Sequence, residues 1–217
     1  MRTRTFTVGV LCSGLVLAGC SGGSGNSGDK GSKSATARKT KAAAAPELPA
    51  GFRRIGGTKN GFTAGVPKSW KALNLNELSK ARAALEKSGT SPAAAKQAIT
   101  TLKANNAVLA IDPKSAQTVR FAANLNGFCQ VGTAPSAAQS KAQLQQIGGQ
   151  HIVSQNVTVG GQSGHKTTYY RKVGTIMTVG VQYQITGDSG KVCFITMTAK
   201  KGTKTPFSAI GATIHAL

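Results

Sequence analysis

HIVSQNVTVGGQSGHKTTYYRKVGTIMTVGVQYQITGDSGKVCFITMTAK, residues 151–200, holds four runs rich in β-branched and aromatic residues, separated by glycine-bearing breaks. The runs Ile152–Val159, His165–Val173, Thr175–Thr186 and Lys191–Lys200 read as strands. The breaks GGQSG, Gly174 and Gly187-Asp188-Ser189-Gly190 read as tight turns. Tight turns in succession impose antiparallel pairing, because a parallel neighbour requires a crossover of a dozen or more residues. An antiparallel meander is the expected centre of the fold.

Working back from the meander, Ser136 reads as the cap of a modest helix running to Ile147, with Ala137, Leu144 and Ile147 inward. Ala107–Ile111 and Val119–Val131 alternate with a period of two and read as strands. Before them, Asn76 fits a cap for a helix over Glu77–Lys87, with Leu78, Ala81 and Leu85 on one stripe and Gly89 as its stop. Ser91-Pro92 opens a second helix, with Ala95, Ile99 and Leu102 inward as far as Asn105-Asn106. Two short strands, Phe52–Ile55 and Gly61–Val66, begin the domain, joined by the Gly56-Gly57 and Asn60-Gly61 turn signals. At the other end Thr205-Pro206 opens a last helix to about His215. Strands and helices in this order give an α+β plan, an antiparallel sheet covered by helices. Trp70, Phe62, Phe194 and Phe207 are its expected core aromatics.

Gly61-Phe62, Val66-Pro67 and Trp70, then Asn124-Leu125-Asn126, Gly160-Gly161, Tyr169-Tyr170, Gln182-Tyr183, Thr196 and Thr198 stand in an order that resembles the PsbP-like and Mog-type family, which includes actinobacterial lipoproteins. The resemblance covers residues 51–217 and implies a PsbP-like α-β-α sandwich acting as a non-enzymatic binding or assembly module. No functional residue transfers with it. Nuclear members bind a small GTPase through acidic surface residues, and photosynthetic members support a manganese cluster. This domain has only Glu77, Glu86, Asp112 and Asp188 as acids.

The amino end carries an address. Leu17-Ala18-Gly19-Cys20 follows Arg2, Arg4 and an apolar run from Phe6 to Ala18, and resembles a bacterial lipoprotein signal. That resemblance implies removal of residues 1–19, with Cys12 among them, and diacylglyceryl modification of Cys20. Two acyl chains then hold the protein to the outer side of the cell membrane, at about 0.8 kcal/mol per buried methylene. The alternative is an ordinary secretory signal with a chance cysteine. Residues 20–50, the modified cysteine and a Gly/Ser/Lys/Ala-rich segment, bury too little to order themselves and read as a flexible tether on the order of 30 Å long. Residues 51–217 form the globular domain.

The formal charge is +21, and residues 51–217 alone hold 20 Lys and Arg against four acids. Such a field favours anionic envelope polymers or lipid head groups without naming one. Nucleic acid is not expected: no recognition motif and no interleaved aromatic platform is present. Cys129 and Cys193, 64 positions apart in two strand-like runs, are an even pair in an oxidising compartment and point to a disulfide; two buried free thiols are the alternative.

Chemistry finds little support. His151, His165 and His215 are possible bases, but no GxSxG elbow exists, and the SxxK string Ser163–Lys166 falls in a turn rather than at a helix start. Four scattered acids give no carboxylate pair for glycan hydrolysis, and no metal ligands stand at useful spacing. No cofactor is implied, and a hydrolase is the last alternative. Tyr169, Tyr170 and Tyr183 with Arg171, Gln182 and Gln184 form a candidate ligand groove, against which stands their reading as ordinary sheet residues. The expectation is a non-catalytic, membrane-anchored module for an envelope protein or a small apolar molecule, with an electrostatic binder of envelope polyanions as its rival.

Overall fold

A computed structural model describes residues 44–87 and 92–217. The signal and lipidation readings at residues 1–20, most of the tether, and the Gly89 and Ser91 helix signals lie outside the described residues.

The meander forms as the turn chemistry requires. Strands β6 (Gly149–Val159), β7 (Gln162–Val173), β8 (Ile176–Thr186) and β9 (Lys191–Lys200) pair antiparallel in succession. The first turn is tighter than GGQSG suggested. Gly160 and Gly161, both at positive φ (57° and 79°), make a two-residue connection whose twist suits the flanking strands, so Gln162, Ser163 and Gly164 belong to β7. On the far side of β9 lie β5 (Asn124–Val131), β4 (Val108–Ile111) and a two-residue strand, β3 (Lys71–Ala72), that the sequence pattern did not reveal. The resulting seven-stranded sheet has the order β3-β4-β5-β9-β8-β7-β6. A second sheet, β1-β2-β10, joins β1 (Phe52–Gly57) and β2 (Phe62–Pro67) to β10 (His215–Ala216).

The carboxyl end departs from the expected helix. Helix α5 covers only Phe207–Gly211, and Thr205 provides no side-chain cap. Thr213 stops it: its hydroxyl donates to Ile210 O (2.6 Å) and accepts the Gly65 N–H (2.7 Å), which draws the chain onto β2. His215 and Ala216 then pair with Thr63 and Phe62, and Leu217 N donates to Gly61 O (2.7 Å).

Helices α1 (Leu78–Lys87) and α2 (Pro92–Ala104) form the expected hairpin, burying Ala81, Leu85, Ala95, Ile99 and Leu102 against Leu109 and Ile111 of β4. The turn before α1 is organised by Asn74, whose side-chain Oδ1 accepts the Asn76 N–H and whose side-chain amide donates to Glu77, rather than by Asn76. A third helix, α3 (Pro113–Val119), not expected from the sequence, precedes the expected strand and takes its first residue, Val119. Asp112 caps it by accepting the Lys114 N–H (3.1 Å), Pro113 sits in its first turn, and Arg120 closes it at φ 57°, so the strand begins at Asn124. Helix α4 (Ala137–Gln146) carries a full capping box between Ser136 and Gln139. Its inward residues are Ser140 and Leu144, with Ile147 half-buried and Ala137 exposed.

The larger sheet is covered on both faces. Against one lie β1-β2-β10 and α5, enclosing Phe62, Val66, Trp70, Leu125, Ile195, Met197, Ile210 and Ile214. Over the other lie α1 and α2 at β4, and α4 at the β8 side, where Ser140 meets Gln184. The fold is α+β with antiparallel sheets. Cys129 and Cys193 stand directly opposite in the β5–β9 pair and are disulfide-bonded. No helix among the described residues is long and apolar enough to cross a membrane.

Candidate functional site

Strand register sorts the residues of the expected groove onto two faces. Directly opposed residues of an antiparallel pair share a face. Tyr183 lies opposite Ile195, facing the core, with its hydroxyl against Gly211. Burial without a charged partner raises its phenol above the usual value. Tyr170 is on the same face at the open end of the sheet, half-buried, with the His151 ring edge-on (5.6 Å between centroids) and Lys201 Nζ 4.2 Å from its centroid. On the opposite face Tyr169 lies flat over its cross-strand partner Gly180, filling the space of the missing side chain. Gln182, Gln184 and the half-buried Arg171 share that face; burial lowers the pKa of the Arg171 guanidinium. The six residues therefore do not line one groove.

The helical face of the meander is instead a polar ladder. Ser154, Thr167, Gln182, Thr196 and Asn126 stand side by side across five strands, followed in the next row by Asn156, His165 and Gln184. The Gln184 amide donates to Ser140 Oγ (2.9 Å) and to Gln182 Oε1 (3.1 Å), so α4 is seated by a satisfied buried network. At the open end of this face, Asn156, Thr158, Ser163, His165, Gln184 and Thr186 line a polar cleft of about 470 Å³.

Hydrolytic constellations do not assemble at these residues. Ser163 lies within β7, and Lys166, three residues on, projects from the opposite face, so the SxxK pair cannot act together. Ser163 and His165 share a face and the polar cleft, but among the described residues no carboxylate lines that cleft. His151 sits exposed at positive φ (50°) beside an irregularity of β6, and His215 is 3% exposed in β10 with its Nδ1 unpartnered. Among the described residues no three His, Cys, Asp or Glu side chains gather as a metal site.

A second cleft, about 370 Å³, forms where the β1–β2 hairpin meets the segment before α1 and the end of α2. Asn60 in the hairpin turn donates to Asn106 O (2.7 Å) after α2, which fixes two of its walls together. Its floor includes Ile55, Leu75 and Val108, and around it stand Arg53, Arg54, Lys59 and Lys103 with the amides of Asn60, Asn74, Asn76 and Asn106. Arg53 is held by donating to Trp70 O (2.7 Å). Among the described residues no carboxylate lines the cleft. Glu77, beside Asn74, is engaged by Lys80 and Asn74, which hold its carboxyl below the usual value.

The last residues of the expected tether reach this neighbourhood. Pro46 O accepts a hydrogen bond from Arg54, and Leu48 lies against Gly65 of β2. The sequence signalled this cleft only through the Arg53-Arg54 doublet and the Asn60-Gly61 turn. Lys59, Lys103, Asn74 and Asn106 come from separate segments with no shared motif.

No family model matches the chain, and no curated protein matches it. Among solved structures it is similar to a protein of Bacteroides thetaiotaomicron at 10% identity and a TM-score of 0.45, over 77% of this chain and 49% of that one. The chain thus spans about half the length of that structure. It is also similar to the solution structure of cyanobacterial PsbP (CyanoP) from Synechocystis sp. PCC 6803, at 13% identity and a TM-score of 0.44, over 78% of this chain and 94% of that one. The α+β assignment rests on the strand pairings of this chain.

Proposed function

We propose that this chain is a lipid-anchored, extracytoplasmic binding module of PsbP-like kind that holds a small amphipathic anion in the β1–β2/α2 cleft without transforming it. The carrying observation is the lining of that cleft: the cations Arg53, Lys59 and Lys103 and four amides around an apolar floor and, among the described residues, no carboxylate; Arg54 also lines it, with its guanidinium turned to Thr63 and Pro46 O. An anionic lipid head group with the first part of its chains meets both demands, cationic donors for phosphate and apolar surface for methylenes. This reading joins the two expectations drawn from the sequence, a small apolar envelope molecule and an anionic head group. Large exposed apolar side chains among the described residues are Val131 and Val153, which lie on separate strands and form no patch for an uncharged apolar ligand.

The anchor supports the same reading. With Pro46 and Leu48 seated on Arg54 and Gly65, the tether leaves from the β1–β2 hairpin that forms one wall of the cleft. A tether of the Gly/Ser/Lys/Ala-rich composition read from the sequence spans about 30 Å, which keeps the cleft within reach of the head groups of the membrane that holds it. The test is titration of the protein with a soluble short-chain phosphatidylglycerol and with its phosphatidylcholine counterpart. Lys59→Gln with Lys103→Gln removes two cations at about 1 kcal/mol each and weakens phosphatidylglycerol binding roughly 30-fold. Equal affinity for the two lipids, or an unaltered double variant, overturns the proposal.

A further inference from the structure

Among the described residues, strand β6 ends the larger sheet on one side, and its one pairing is with β7. The two-residue turn fixes which of its backbone groups face outward. Val159 and Gln162 flank the turn and exchange hydrogen bonds, and exchange then skips every second pair, so Val153, Gln155 and Val157 bond inward to β7. Ser154, Asn156 and Thr158 turn both N–H and C=O away from the sheet. Natural edges are blunted by lysine, proline or brevity. This one runs from Val153 to Val159 in regular register with no charge and no proline, its irregularity confined to the stretch between Gln150 and Val153.

The outward-facing residues also carry the polar cleft. Asn156 and Thr158 form its near wall, with Ser163, His165, Gln184 and Thr186 behind them. A strand laid along β6 places every second side chain on that face, beside this opening. An edge with free hydrogen-bonding groups next to a pocket for one side chain is the arrangement by which peptides are captured through strand addition. The geometry points to β6 as the docking edge for an extended acidic segment of a partner protein, one Asp or Glu of which enters the polar cleft.

Charge selects the occupant. Residues 149–187 contain no acid; Lys166 and Lys172 stand on the opposite face of β7 and Arg171 at its far end, and the cleft itself offers the Asn156 amide, the His165 ring and the Ser163 and Thr186 hydroxyls as donors. A carboxylate satisfies them. A second copy of this chain does not: β6 has no acid to offer, and pairing two domains that each hold 20 cations against four acids is opposed by repulsion.

The test uses the full chain and an eight-residue peptide of alternating Val and Asp, with its Val/Asn counterpart. Hydrogen exchange at the amides of Ser154, Asn156 and Thr158, rapid in the free protein, slows at least tenfold with the Val/Asp peptide, and the Val/Asn peptide binds at least tenfold more weakly. Asn156→Pro removes an N–H that β7 does not use and abolishes the protection while leaving the phosphatidylglycerol titration unchanged, so this edge and the basic cleft fail or succeed separately. His165→Gln, which leaves the edge intact, narrows the preference for Asp over Asn. Absence of peptide binding, binding without protection of those three amides, equal binding of the two peptides, or concentration-dependent protection with no peptide present each overturns the inference, the last in favour of self-pairing.

Discussion

Reducing the Cys129–Cys193 bridge tests the account of how this fold is held together. The bridge links directly opposed residues of β5 and β9, and the linked positions are 64 apart in sequence. Closing a loop of that length removes about 14 cal/mol/K from the unfolded chain, or about 4 kcal/mol at 25 °C. The bridge also lies beneath the β1–β2 turn, where a Cβ at Gly61 (φ 78°) would meet Cys129 Cβ at 2.6 Å. It thus sits where the two sheets meet. Guanidinium unfolding of oxidised and reduced protein, followed by Trp70 fluorescence, should show a loss of about 4 kcal/mol on reduction, and thermal unfolding a fall in midpoint temperature of roughly 10 °C. The m-value should rise, because the reduced unfolded chain exposes more surface. A Cys129→Ala/Cys193→Ala variant should reproduce both changes and lose its response to reductant. Equal stability of oxidised and reduced protein with equal m-values would refute the argument.

The remaining expectations concern packing, titration and anchoring. Gly180 is the floor on which Tyr169 lies, so Gly180→Val should cost about 2–3 kcal/mol by denaturant unfolding, and Tyr169→Ala should recover part of that loss in the double variant; purely additive costs would contradict the contact. Tyr183 has its phenol raised by burial above the ordinary 10.0, so the unfolded chain ionises first. The protein's stability should then hold below pH 10 and fall as pH rises from there through the folded value, and Tyr183→Phe should lessen that fall. A fall of equal size in the variant would assign the effect elsewhere. Cys20→Ala should release the protein from the membrane fraction or stall its processing; unchanged retention would count against the anchor.

Local chemistry makes much of this fold legible in the sequence. Gly160-Gly161 could hardly do other than close a hairpin, and Ser136 with Gln139 set the start of α4. Asp112-Pro113 was an equally good start signal for α3, but the alternation running from Val119 obscured it. The end of α5 was not legible because Thr213 acts through Gly65, 148 residues away. The same limit governs the sites. Tyr169 and Tyr170 had to diverge, yet only the register of β7 against β8 tells that Tyr169 covers Gly180. The basic cleft draws Arg53, Lys59, Asn74 and Lys103 from a hairpin, a connecting segment and a helix end, and nothing in the chain's order announces that they meet.

Amide chemical-shift mapping with short-chain phosphatidylglycerol addresses the central claim most directly. The account predicts saturable shifts concentrated at Arg53, Lys59, Asn60, Leu75, Lys103 and Asn106, weakened by salt and largely lost in the Lys59→Gln/Lys103→Gln variant. Shifts spread evenly over the cationic surface, or the same pattern from phosphatidylcholine, would contradict it.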